Sequence, residues 1–88
     1  MEDMTMQERA DVIEKLMEEN GIMGGLDDYN EEKKMVAVEV TWGDWKHEHA
    51  RLDWLMWRTF DDLKNVSVVT TEEDGSDCYS AIHFYYFN

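Results

Sequence analysis

Met35-Val36-Ala37-Val38-Glu39-Val40-Thr41-Trp42 is the segment on which the fold turns. Val36, Val38, Val40 and Trp42 alternate with Met35, Ala37, Glu39 and Thr41, so the run reads as a β-strand with one wholly apolar face. Gly43 breaks it, and Asp44 can cap a helix running to about residue 64. Downstream, the β-branched run over 65–71 (Val66, Val68, Val69, Thr70, Thr71) predicts a second strand. Asp74-Gly75 is a turn signal, and 78–87 reads as a third strand, aromatic on both faces. A strand–helix–strand crossover is right-handed, which sets 35–42 and 65–71 parallel. The hairpin sets 78–87 antiparallel to 65–71, and its two apolar faces place it centrally.

Upstream, Thr5 and Glu8 have the spacing of a capping box. Met6, Ala10, Ile13 and Met17 follow at helical spacing, with Leu16 beside them, and Asn20-Gly21 is a plausible stop. Gly24-Gly25 and Asp27-Asp28-Tyr29-Asn30 read as a loop. The expected architecture is a single α+β domain over 1–88, of element order α-β-α-β-β. It has a three-stranded mixed sheet of order 1-3-2 and two helices packed on one face. The arrangement resembles half of a ferredoxin-like sandwich, a likeness of fold that implies no function.

The chain carries 21 Asp+Glu against 8 Lys+Arg, a formal net charge of −13 over 88 residues. With 43% hydrophobic residues, four Trp, four Tyr and three Phe, it is too apolar for a disordered acidic tail. It is too negative for direct nucleic-acid binding, which draws on Lys and Arg against phosphates, and an anionic membrane surface repels it. One Cys excludes an internal disulfide framework and fits a reducing cytoplasm. No apolar run approaches a membrane span, and no basic-then-apolar leader marks a signal peptide. The charge is uneven. Residues 1–32 hold 11 acidic and 2 basic side chains, net −9, and residues 33–88 hold 10 and 6, net −4.

Two surfaces follow from the spacing. The outer face of the first helix carries Glu8, Asp11, Glu14, Glu18 and Glu19. On the second helix, Trp45, His49, Leu52, Leu55, Met56, Thr59, Phe60 and Leu63 fall within about 80° of one side and form the core stripe. Trp54 and Trp57 fall on the far side, where large aromatics call for a contact. The uncovered sheet face is also aromatic. Aromatic sheets stack bases in RNA-recognition domains, but here the net charge repels phosphates.

The expected topology also gathers Asp44, His47, Asp74, Asp77 and Cys78 at one polar edge. As a metal site its spacing is poor: His47 and His49 point apart, and no paired Cys accompanies them. Cys78 and His83 lie five apart on one strand, hence on opposite faces, and form no nucleophile–base pair. No Gly-rich phosphate loop or nucleophile elbow is present. The sequence therefore predicts no catalytic residues, no metal and no cofactor.

The leading expectation is a protein-interaction module whose acidity is functional, directed to a protein partner with a basic surface. Nucleic-acid-binding grooves are the most concentrated such surfaces, and carboxylates can stand where phosphates sit. In size, acidity and lack of catalytic motifs the chain resembles small phage-encoded anti-restriction and anti-CRISPR inhibitors, several of which mimic DNA. That likeness is compositional and assigns no residue. The interaction residues expected are the five carboxylates of the first helix, with Trp54 and Trp57 as anchors. The alternatives are an accessory domain that forms a homodimer through its sheet or Trp face, and a small metal- or ligand-binding protein using the polar edge.

Overall fold

A computed structural model describes residues 4–42, 48–72 and 79–88. The elements in order are α1 (Met6–Glu19), β1 (Gly24–Asn30), β2 (Met35–Trp42), α2 (Glu48–Thr59), β3 (Leu63–Glu72) and β4 (Tyr79–Phe87).

α1 is fixed at both ends by local chemistry. Thr5 Oγ1 accepts from the Glu8 N–H (3.1 Å) and the Glu8 carboxylate accepts from the Thr5 N–H (3.0 Å), which is the reciprocal capping box. Glu31, from the turn after β1, adds a carboxylate at the positive end of the helix. It accepts from the backbone N–H groups of Met6 (2.5 Å) and Gln7 (3.3 Å). At the other end Gly21 adopts φ +66°. The Ile22 N–H reaches Met17 O and the Gly21 N–H reaches Glu18 O, a Schellman closure that turns Ile22 into the core.

The sheet has four strands in the order β1-β2-β4-β3, and every neighbouring pair is antiparallel. This corrects the expected three-stranded mixed sheet of order 1-3-2 and the half-ferredoxin-like arrangement built on it. The missing element is residues 24–30, whose Gly, Asp and Asn content reads as loop. Pairing with β2 overrides that composition. Gly24 is what permits it. A Cβ there would lie 1.9 Å from Glu39 O, so only glycine lets the two backbones approach. The second helix also ends earlier than the expected residue 64, at Thr59. Its last turn closes with Phe60 N–H to Met56 O, and Leu63 is drawn into the sheet opposite Phe87.

Both helices lie on one face of the sheet, and the core forms between them. Met6, Ala10, Ile13 and Met17 of α1 and Leu52 and Met56 of α2 meet Val36, Val38, Val40, Ala81, Tyr85 and Phe87 of the sheet. Cross-strand register explains the set, because Val36 faces Tyr85, Val38 faces His83 and Val40 faces Ala81. Of the expected stripe, Leu52, Met56, Phe60 and Leu63 are buried and Leu55 and Thr59 half-buried. Trp45 and the side chain of His49 lie outside the described residues.

Candidate functional site

All five carboxylates read from the helical spacing, Glu8, Asp11, Glu14, Glu18 and Glu19, are exposed on α1. At 100° per residue they occupy an arc of about 140°. At 1.5 Å rise they supply about one carboxylate per 4 Å of axis. A single DNA strand presents one phosphate per roughly 3.4 Å. Glu8 has a second duty: the Thr5 backbone N–H, and then its hydroxyl, hold the Glu8 carboxyl below the usual range.

The two basic residues of the acidic segment do little to offset this face. Lys15 stands 4.0 Å from Glu19 with both side chains well exposed, a geometry worth little in water. Arg9 is turned inward and only 3% exposed. Its guanidinium donates to both carboxylate oxygens of Asp62 (2.9 and 2.6 Å) and lies 4.3 Å from the centre of the Phe87 ring. β1 and the turn that follows it add further exposed carboxylates, Asp27, Asp28 and Glu32. A cleft of about 330 Å³ runs between α1 and β1, lined by Glu14, Met17, Glu18, Ile22, Gly24 and Gly25.

Trp54 and Trp57 project from α2, 55% and 51% exposed. The Arg58 guanidinium lies 4.5 Å from the Trp54 ring centre, a cation–π pair one turn along the helix. α1 and α2 belong to the same layer, and Arg51 of α2 donates a hydrogen bond to Asn20 O at the end of α1. Replacing Trp54 and Trp57 with Ala is expected to cost about 1 kcal/mol or less each, measured by urea unfolding. Removal of a buried Trp costs about 3–5 kcal/mol, and a loss of that size here would make them core residues.

Asp44, His47, Asp74, Asp77 and Cys78, the expected polar edge, lie outside the described residues. Among the described residues no group of three or more His, Cys, Asp and Glu side chains is placed to hold a metal ion. Also among them, no helix is long and apolar enough to cross a membrane.

The structure adds a cluster that the sequence reading missed. His83 and Tyr85 alternate on the helix-facing side of β4, both fully buried. Asp53 of α2 reaches them: its Oδ1 lies 2.8 Å from His83 Nδ1 and accepts from the Tyr85 hydroxyl at 2.8 Å. Burial first, then the Asp53 charge, push the Tyr85 hydroxyl far above the ordinary tyrosine range. The cluster is a hydrogen-bonded tie between helix and sheet. Its one sequence signal was Asp53 at the margin of the apolar stripe of α2, about 80° from Trp45.

Comparison with protein-family models, curated proteins and solved structures finds no match, so function rests on the chemistry of these surfaces.

Proposed function

We propose that this protein is an acidic interaction module that occupies a basic, nucleic-acid-binding surface of a partner protein, with α1 standing in for a phosphate backbone. The observation that carries the reading is the placement of Arg9. Of the two cations in a segment of net charge −9, one is buried against Asp62 and the other sits in a weak exposed pair. The outward face of α1 is thus more negative than the sequence count suggests. Its carboxylate spacing suits phosphate-binding cations. The half-exposed Trp54 and Trp57 on the same helical layer supply the kind of aromatic anchor that concentrates binding energy.

The test is calorimetric titration against a panel of cationic nucleic-acid-binding proteins, with duplex DNA as competitor. Binding is expected at low salt, to weaken as salt rises, and to be displaced by DNA. Asp11→Asn combined with Glu14→Gln, Glu18→Gln and Glu19→Gln should weaken it by at least about tenfold. Glu8 is left in place because it closes the capping box. Absence of binding at low salt, or affinity untouched by the four neutralisations, would overturn the reading.

A further inference from the structure

The two edges of the sheet differ in how they are protected. An edge strand presents unpaired backbone donors and acceptors, and proteins blunt it with charges, bulges or irregular residues. β1 carries all of these: Gly24 and Gly25, exposed Asp27 and Asp28, and a register break between Leu26 and Asp28. β3 is the other edge and the longest strand, Leu63–Glu72. β3 has its own register break, between Leu63 and Asn65 at Lys64, but from Asn65 to Thr71 its pairing with β4 is regular, and residues 65–71 contain no charge. Val68 and Val69 point to opposite faces and are both exposed, Val69 at 51%.

We propose that β3 pairs with β3 of a second copy of this chain, antiparallel about a two-fold axis near Val68, to form a continuous eight-stranded sheet. Charge selects both the partner and the register. Pairing through β1 sets two segments of net charge −9 side by side. Pairing through β3 places the two β1 strands at opposite ends, seven strand spacings or about 34 Å apart. That is several Debye lengths at physiological salt, about 8 Å each, so the acidic sides scarcely repel. The strand ends are complementary as well. An antiparallel arrangement centred on Val68 brings the end of β3 that holds Lys64, at its register break with β4, beside the end that holds Glu72 in the other copy, twice by symmetry, whereas a parallel arrangement sets like with like. Cross-strand pairs of opposite charge favour a register and like pairs oppose it. The dimer also presents two α1 faces, one at each end. This inference does not depend on the proposed partner.

Sedimentation equilibrium of the full chain from micromolar to millimolar concentration tests it. A monomer–dimer equilibrium is expected that varies only modestly with salt, since the acidic sides lie beyond the screening length and the two exposed charge pairs are weak, unlike the steep weakening by salt expected for binding to a cationic partner. Val68→Lys sets two ammonium groups together at the axis and should weaken dimerisation by at least about tenfold. Val69→Lys, on the other face, should also weaken it, while Leu26→Lys on β1 should not. Lys64→Glu and Glu72→Lys should each weaken self-association, and mixing the two variants should restore a heterodimer. Circular dichroism melts establish that each variant is folded. A monomer at every concentration and salt overturns the proposal. So does a dimer indifferent to Val68→Lys and Val69→Lys, or a dimer lost in Leu26→Lys.

Discussion

Asp53→Ala is expected to cost about 3 kcal/mol of folding stability, which lowers Tm by roughly 12–24 °C in a domain of this size. Asp53 Oδ1 sits 2.8 Å from both the Tyr85 hydroxyl and His83 Nδ1. Both of those residues are fully buried, and each loses this acceptor when the carboxylate goes. Loss of a hydrogen bond to a buried polar group costs about 1–3 kcal/mol, and the longer 3.3 Å contact between the Tyr85 hydroxyl and His83 Nδ1 does not replace a charged acceptor. Asp53→Asn keeps an acceptor oxygen and should cost only about 1 kcal/mol. The raised Tyr85 hydroxyl adds a pH signature. Tyr85 releases its proton less readily folded than unfolded. Its contribution is therefore complete below about pH 10, the ordinary tyrosine range, and is lost as the pH rises above it. Tyr85→Phe should show a shallower alkaline loss than the wild type in thermal melts. If Asp53→Ala melts with the wild type, the cluster does not tie α2 to β4.

Arg9→Ala should be comparably damaging, at about 3 kcal/mol by urea unfolding. It removes the bidentate pair with Asp62 and the packing of the guanidinium against Phe60 and Phe87. It also leaves the Asp62 carboxylate without its counter-charge at a partly buried site. Arg9→Met retains much of the apolar volume and should cost about 1 kcal/mol, because an ion pair already bears a desolvation penalty. The Arg9 hydrogen bonds hold the Asp62 carboxyl below the usual range. As the pH drops, the unfolded chain protonates Asp62 before the folded one does. The contribution of the pair is therefore complete above about pH 4 and lost as the pH falls through the lower folded value. Arg9→Met should flatten this part of the acid limb. Equal acid sensitivity in both proteins would show that the pair contributes nothing to stability.

α1 was legible because its determinants are local. The Thr5–Glu8 box, the apolar spacing from Met6 to Met17 and the Asn20-Gly21 stop lie within one segment and act within it. The alternation of β2 was legible for the same reason. β1 was not, because Gly24-Gly25 and Asp27-Asp28 have poor strand propensity and pair only once β2 is in place. Site residues divide in the same way. The carboxylate arc and the outward Trp54 and Trp57 follow from helical spacing alone. The inward turn of Arg9 does not, since arginine is among the residues least often buried. Asp62, its partner, lies 53 residues away.

By itself the sequence determined the net charge of −13, its concentration before Lys33, the amphipathic α1 and the alternation of β2. These are sums over residues or patterns within one segment, and need no long-range contact to exist. The tertiary structure alone decided that residues 24–30 form an edge strand and that one of two cations in the acidic segment is removed from the surface. It also decided that Asp53 meets His83 and Tyr85, and that β1 and β3 are the two edges of the sheet. Each depends on free energy that appears only when distant segments meet: backbone pairing for β1, and hydrogen bonding in a low-dielectric interior for Arg9 and Asp53.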